Sequence, residues 1–352
     1  EVESLKAEIS ANEQVVLDAL HKDFKKSEFE TYLSEFGLVT SALNLAIKNL
    51  KRWAKPKRIK ASLLNFPSKD YIYKEPYGNV LIIAPWNYPF LLAMEPLIMA
   101  VAAGNTVVLK PSELTKHTSK AITKIIKNVF SKDIAVSIEG GIKTSTELLS
   151  QKWNYIFFTG STKVGKIVAE AAAKYVTPVT LELGGKSPCI IDDTVNLKLV
   201  ARRLVWGKLL NAGQTCISVD YVMVKSNTKI SVIEALKAAI IRRYSNTPKA
   251  SKDFPRIINK EHTERLKKLG YKDVSNLYGG IFEWVNQGNA VVDKGGNPTK
   301  KVHTYRPEYE KWLKEGNTFE QAFKQVPCSP VFMPITIPKE IMDRANELVS
   351  NP

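Results

Sequence analysis

The sequence predicts an α/β protein with a doubly wound, mostly parallel sheet, followed by a second α/β lobe whose regular pattern fades after about residue 269. Two observations carry this expectation. From Val80 onward, short apolar runs of strand length alternate with segments of helical periodicity, the pattern of strands joined by crossover helices. Polar or glycine-bearing segments then recur at the carboxyl ends of those runs, where sheets of this kind bind ligands. With 352 residues, 44% of them apolar and 24% charged, the chain also has the composition of a globular protein with a sizeable core.

Taken in order, residues 1 to about 55 place Val15, Val16, Ala19 and Leu20, then Leu38, Ala42, Leu43, Ala46, Ile47 and Leu50 at helical spacing, with Pro56 closing the run. This is a helical N-terminal arm, residues 1–60. Residues 68–79 alternate Tyr71, Tyr73 and Tyr77 with charge around Pro76-Tyr77-Gly78, the signature of an exposed hairpin or edge strand. Strands follow at Val80–Ala84, Thr106–Leu109, Ile134–Ile138 and Tyr155–Phe158. The helices between and after them are Leu91–Ala103, Ser119–Phe130, a short one near Thr144–Ser150, and Lys163–Tyr175. An apolar strand ending at Glu182 completes a nucleotide-binding domain of residues 61–185. A strand at Cys189–Ile191, a helix at Leu197–Leu210, a strand at Tyr221–Val224 and a helix at Ile230–Tyr244 open a second lobe, residues 186–269. Residues 270–352 form a divergent tail rich in glycine pairs.

Composition narrows the function. The apolar runs around Val80–Ala84 and Leu91–Ala103 are interrupted by Pro85, Asn87, Glu95 and Pro96, too short for a membrane span. The acidic start Glu1-Val2-Glu3-Ser4 has no leader pattern, so a cytoplasmic location is expected. Three separated cysteines, Cys189, Cys216 and Cys328, argue against a disulfide framework and a metal site. The net charge of +16 invites a nucleic-acid reading, and Lys51–Lys60 is the densest basic run. It matches no nucleic-acid module, and a solvated face explains it better.

Five segments could carry chemistry. Cys216 ends Asn211-Ala212-Gly213-Gln214-Thr215-Cys216, a stretch of small residues after a helix; a thiolate nucleophile needs such access and a base within reach, although a lone cysteine is more often a small buried hydrophobe. Glu182 sits in Leu181-Glu182-Leu183-Gly184-Gly185-Lys186. Burial between leucines would push its pKa towards neutrality, as a general base requires; the plainer alternative is an ion pair with Lys186. Phe158-Thr159-Gly160-Ser161-Thr162-Lys163-Val164-Gly165-Lys166 runs from strand to helix through a glycine turn suited to a pyrophosphate, yet it is neither a GxGxxG nor a GxxxxGK[ST] motif. Ala84-Pro85-Trp86-Asn87-Tyr88-Pro89 offers the Asn87 amide to a developing oxyanion. Leu109-Lys110-Pro111-Ser112-Glu113 offers an ammonium and a carboxylate to ribose hydroxyls. All but the Cys216 segment fall at strand ends, which points to one crevice.

In this order and spacing, the five segments resemble the aldehyde dehydrogenase superfamily, and Glu75-Pro76-Tyr77-Gly78 before the first strand is most similar to its class 3 branch. The resemblance covers roughly residues 1–269. It implies a Rossmann-like fold of aldehyde dehydrogenase type and oxidation of an aldehyde to a carboxylic acid through a thiohemiacetal and a thioester on the cysteine. It implies Cys216 as nucleophile, Glu182 as base and Asn87 as oxyanion donor. Cofactor contacts are implied at Trp86, Lys110, Glu113, Gly160, Ser161, Gly165, Leu183 and Gly184, and no metal. The cofactor is NAD, because Glu113 near the adenosine ribose favours a free 2′-hydroxyl, with NADP as the alternative. A small-molecule aldehyde is the partner, together with a second copy of the chain.

Past the cysteine the family pattern is lost. No Glu-x-Phe-Gly-Pro segment grips the nicotinamide ribose, and the C-terminal strands that family members use for dimerisation are not recognisable. Residues 270–312 instead resemble the end of a rhodanese domain, although residues 250–269 contain no cysteine for sulfur transfer, and Cys328 is incidental. The expected catalytic lobe is therefore incomplete, with backbone groups left for the tail to satisfy. A nicotinamide misplaced by about 1 Å costs on the order of a hundredfold in rate. Two further readings follow: a nucleotide-binding but catalytically silent protein, and a rhodanese-type sulfurtransferase.

Overall fold

The computed structural model describes residues 1–268 together with 291–292 and 298–299. It divides into two compact units, residues 1–287 and 288–352. In the second, Val291–Val292 and Pro298–Thr299 pair as a short antiparallel ladder. Apart from these four residues, the stretch at 270–312 expected to resemble a rhodanese and Cys328 lie outside the described residues.

The first unit begins with helices α1 (Val2–Ala11), α2 (Glu13–Phe24), α3 (Glu28–Thr31) and α4 (Gly37–Ala54). Between α3 and α4, Tyr32–Phe36 forms one wide π turn. A Cβ on Gly37 would stand 2.8 Å from the Tyr32 carbonyl oxygen, so the wide turn requires glycine there. The apolar stripes of the arm are buried: Leu5 and Ile9 on α1, Val16, Leu20 and Phe24 on α2, Val39 and Leu43 on α4. They pack against the sheet helices α5 (Leu91–Ala102) and α6 (Lys116–Val129), so the arm covers one side of the sheet.

Strands β1 (Lys57–Ile59) and β2 (Asp70–Ile72) form an exposed antiparallel ribbon, with Arg58 opposite Tyr71. The hairpin expected within residues 68–79 thus takes its partner from the basic run, whose Lys57 and Arg58 are exposed as a solvated face requires.

The sheet itself contains β3 (Asn79–Ile83), β4 (Thr106–Lys110), β5 (Ala135–Ser137), β6 (Tyr155–Thr159) and β7 (Val179–Glu182) in the order β5-β4-β3-β6-β7. Every pairing is parallel. Central β3 is buried from Val80 to Ile83, which explains its unbroken apolar run. Val80 and Ile82 face the helical arm with α5 and α6, whereas Leu81 and Ile83 face Val168 and Ala172 of α8 (Thr162–Ala173). Helix α7 (Ile142–Leu149) lies on the connection from β5 to β6, which carries the chain across the sheet. Strand order reverses between β3 and β6, the point at which such sheets open a ligand crevice.

Helix α6 starts three residues before the predicted Ser119. Asp23 of α2 caps it, accepting from the backbone N–H groups of His117 and Thr118 at 3.2 and 2.9 Å and from the Thr118 hydroxyl at 2.7 Å. Beyond β7 come β8 (Ser187–Ile191), α9 (Leu197–Leu209), β9 (Val219–Val224), α10 (Lys229–Tyr244) and α11 (Lys260–Lys268). Strands β8 and β9 pair in parallel, and α9 and α10 close a small core of Leu204, Val205, Leu236 and Ile240 with Ile191.

Candidate active site

The carboxyl ends of β4, β3, β6 and β7 stand side by side, so the segments singled out in the sequence form one edge. At the end of β4, Lys110 is buried and its ammonium lies 2.6 Å from Glu113, whose carboxylate is partly exposed. The two groups expected to address ribose hydroxyls therefore address each other in the protein alone. Ser161 caps α8, its hydroxyl accepting from the Val164 N–H at 3.3 Å. The Gly160 N–H donates to the Glu182 carbonyl at 2.9 Å, tying the glycine turn to the end of β7. Gly165 lets Leu183 pack closely on α8: a Cβ there would stand 2.7 Å from Leu183 Cδ2, and the leucine tip would have to shift. Gly184 has open space on its Cβ side. The half-buried Trp86 ring meets the edge of His262 at 4.7 Å between centroids.

Glu182 requires a correction. It is exposed at the end of β7, so the burial inferred from its flanking leucines is absent. The β7 end is an outer strand of the sheet, and Leu181 and Leu183 pack on the α8 side without covering the carboxylate. Its proposed partner Lys186 pairs instead with Asp220 of β9 at 2.9 Å.

Cys216 is exposed, in the loop between α9 and β9. Helix α9 stops at Leu209, one residue before the expected end, because Asn211, Ala212 and Gly213 take left-handed backbone angles, with φ of 53°, 54° and 79°. For Asn211 and Ala212 such angles cost roughly 1–3 kcal/mol each unless surrounding bonds impose them. Those bonds are present. The Glu30 carboxylate accepts from the Asn211 N–H at 2.7 Å, and the Asn211 side-chain amide donates to the Asn87 carbonyl at 2.6 Å. The Gln214 side-chain amide donates to the carbonyls of Asn211 and Arg256 at 2.9 and 3.1 Å, while its oxygen accepts from the Ile258 N–H at 3.0 Å.

The turn after β3 closes on the same loop. The Asn87 amide donates to the Gln214 carbonyl at 3.0 Å, and the Tyr88 and Thr215 hydroxyls lie 2.6 Å apart. From the other side a Cβ on Gly185 would approach the Cys216 carbonyl oxygen to 2.8 Å, so the Glu182 strand end abuts the cysteine backbone only because residue 185 is glycine. Asn87 and the Gly185 strand end therefore meet the Cys216 loop across long stretches of chain. Sequence reasoning missed Tyr88, Asn211, Glu30 and Lys208, which have no local signal. Burial raises the Tyr88 phenol well above its ordinary range, and it lowers the Lys208 ammonium against the opposing charge of Asp220. Lys208 reaches Ser218 at 3.5 Å, at the start of β9.

Among the described residues no group of His, Cys, Asp or Glu is arranged to hold a metal ion, and no helix is long and apolar enough to cross a membrane. The family profile described as "Aldehyde dehydrogenase family" matches residues 2–284. The chain belongs to the aldehyde dehydrogenase family. That match runs on through residues 270–284, the first part of the stretch expected to resemble a rhodanese, a likeness that these comparisons do not show.

Among its relatives, the chain is 45% identical over 269 residues to 4,4'-diaponeurosporen-aldehyde dehydrogenase of Staphylococcus aureus, covering 76% of this chain and 59% of that protein. It is 43% identical over 269 residues to aldehyde dehydrogenase family 3 member A2 of Pongo abelii, covering 76% and 56%. The substrate-bound structure of Staphylococcus aureus AldH superposes with a TM-score of 0.75 at 44% identity, covering 76% of this chain and 58% of that one. The class 3 likeness and the parallel α/β fold expected from the sequence are thus found. The chain spans 56 to 59% of the length of these curated relatives.

Proposed function

We propose that the chain oxidises an aldehyde to a carboxylic acid through a covalent intermediate on Cys216, with a nicotinamide dinucleotide as hydride acceptor. The observation that carries this reading is the bond from the Asn87 amide to the Gln214 carbonyl, which sets an oxyanion donor beside an exposed thiol 129 positions away (216 − 87).

The Cys216 thiolate adds to the aldehyde carbonyl. One Asn87 N–H is committed to Gln214, and the other, with the Cys216 backbone N–H, receives the oxyanion. A bound nicotinamide dinucleotide supplies the acceptor for the hydride that the thiohemiacetal loses in becoming a thioester. Glu182, exposed beside the Gly185 contact to Cys216, takes a proton from the water that hydrolyses the thioester.

The residues present fit a dinucleotide. Glu113 keeps a partly exposed carboxylate for ribose hydroxyls, Gly160 and Ser161 open α8 at the switch point, and Gly165 brings that helix close to β7. The open side of Gly184, with Leu183 and Trp86, would hold the nicotinamide end. Glu113 favours a free 2′-hydroxyl, and its pairing with Lys110 neutralises part of the charge that would repel a 2′-phosphate. NAD is therefore the proposed cofactor, with NADP as a weaker substitute.

The domain boundary near residue 185 is proposed from the end of one sheet at Glu182 and the start of another at Ser187. A homodimer is also proposed. Leu63, Leu64 and Phe66, strongly exposed between β1 and β2, give an apolar surface for a second copy, and sedimentation tests it. The rhodanese likeness of residues 270–312 carries no expectation of sulfur transfer, and thiosulfate should not turn over with cyanide.

NADH absorbance after mixing the protein with NAD and a medium-chain or aromatic aldehyde tests the main proposal. The expected result is a rise that Cys216→Ala abolishes. A rise that survives in Cys216→Ala overturns it, and a flat trace with retained NAD binding favours a silent nucleotide-binding protein.

A further inference from the structure

Four buried polar side chains of the helical arm and the β3 turn, Lys26, Glu30, Glu35 and Tyr88, are tied to one another or to the Cys216 loop. Lys26 and Glu35, both fully buried, pair at 2.6 Å, and the second Glu35 oxygen accepts from the Phe90 and Leu91 N–H groups at 2.9 and 3.3 Å. The Lys26 ammonium stands 4.8 Å from the centre of the Tyr88 ring, whose hydroxyl meets Thr215. Glu30, 5% exposed, places its carboxylate 2.7 Å from the Asn211 N–H. Asn211 in turn holds Asn87, and its own side-chain oxygen is buried without a partner among the described residues.

A buried carboxylate is costly, and here it serves a single backbone amide in a left-handed turn that a non-glycine residue adopts only under constraint. Without that acceptor the Asn211 N–H would be buried and unpaired, and the turn would lose its reason to stay left-handed. The consequence falls five residues downstream (216 − 211), at the thiol.

We propose that Glu30 is a positioning residue for the nucleophile: by holding the Asn211 amide it fixes the left-handed turn that sets Cys216 against the Asn87 amide. The proposal rests on the reading of Cys216 as the nucleophile. Burial raises the Glu30 carboxyl above its ordinary range, opposed by the Asn211 bond, Lys26 and Arg243 and reinforced by Glu35. A group in that setting still accepts the amide hydrogen in either protonation state, and so does a glutamine oxygen.

An activated ester separates this geometry from hydride transfer. With p-nitrophenyl acetate the Cys216 thiolate attacks the acetyl carbonyl, the bond to oxygen breaks, p-nitrophenolate leaves with the electron pair, and the acetyl group remains as a thioester. The expected result for the full chain is a p-nitrophenolate burst that Cys216→Ala abolishes. Glu30→Ala should slow it by about tenfold or more, since a misaligned nucleophile loses attack geometry, whereas Glu30→Gln should stay within about threefold of the wild type. Iodoacetamide alkylation of Cys216, read by peptide mass spectrometry, tolerates many approach angles and should change by less than about threefold in all of these Glu30 variants.

A burst in Glu30→Ala within about threefold of the wild type overturns the proposal. So does a Glu30→Gln protein as slow as Glu30→Ala, a parallel fall in alkylation, or the lack of any Cys216-dependent burst in the wild type. Should Glu30→Ala not fold, Tyr88→Phe breaks the second tether alone; a burst slowed by about tenfold or more supports the tethering of the loop, and a burst within about threefold of the wild type overturns it. A normal burst with no NADH formation would remove the dehydrogenase reading and leave this one standing.

Discussion

The five-stranded sheet and the Cys216 loop lie in the same unit yet are held in place by different forces. Strand β3 is fixed by its own side chains: Val80, Leu81, Ile82 and Ile83 are buried on two faces, so almost any displacement exposes apolar surface. The loop from Asn211 to Cys216 has little apolar surface and two non-glycine residues in an unfavourable backbone region. It is fixed by hydrogen bonds from Glu30, Asn87, Tyr88, Arg256 and Ile258, which come from both ends of the described chain. A sheet of this kind tolerates substitutions that conserve volume, whereas a polar assembly fails when one member is lost.

The largest break in that comparison is expected at Lys26. Lys26→Met keeps the length of the side chain and leaves the fully buried Glu35 without its cation, which should cost about 3–5 kcal/mol in urea denaturation. Leu97→Ala, in the apolar core between α5 and the arm, should cost roughly 3 kcal/mol through cavity formation. The two variants part at the thiol. The p-nitrophenolate burst from Cys216 should survive in Leu97→Ala at a temperature where the protein is folded and fall in Lys26→Met, which disturbs Tyr88. Equal bursts would mean that the loop does not depend on the polar assembly.

A smaller effect tests the joint between arm and sheet. Asp23→Ala removes the cap from the first turn of α6, with an expected cost of about 1 kcal/mol in thermal denaturation. Asp23→Asn should recover much of it, since one carboxamide oxygen still accepts.

The same contrast explains what the sequence made legible. Apolar periodicity located β3, α5, β4, α8 and α9 to within a few residues, because burial on known faces is what that pattern records. The positions that departed were governed by distant partners. The start of α6 depends on Asp23, ninety-five positions from Thr118, and the end of α9 depends on Glu30, 181 positions from Asn211. The expected burial of Glu182 failed for a related reason: its leucine neighbours describe the strand, but its exposure is set by its place at the edge of the sheet. Cys216, Asn87 and Lys110 stand in local motifs that mark them as candidates, whereas Glu30 has no motif at all.

Thiol reactivity sharpens the comparison without a change of sequence. Cys189 is half-buried on β8 against the second core, and burial pushes its thiol up, so less of it is thiolate at a given pH. Cys216 is exposed. Iodoacetamide should label Cys216 before Cys189, and faster labelling of Cys189 would contradict the exposure of the Cys216 loop.

The smallest expected effect is in the pH dependence of stability, and its sign follows from burial. The folded state holds the Glu30 proton to higher pH than the unfolded state does, because desolvation raises its carboxyl above the ordinary 4.5. The contribution of Glu30 is therefore fully present below 4.5, where both states are protonated. It is lost as pH rises through the raised folded value, because the unfolded chain releases its proton first. Glu30→Gln does not titrate, and its oxygen still accepts the Asn211 N–H. Across that window the Tm of the wild type should fall relative to Glu30→Gln, then level once the folded carboxyl is also ionised. Lys26, Arg243 and Glu35, the charged groups that act on Glu30, are present in both proteins, so their contributions largely cancel in the difference. A difference that stays flat from about pH 4 to pH 7 would mean that Glu30 is as well solvated as an exposed glutamate, and the case for a buried tether would go with it.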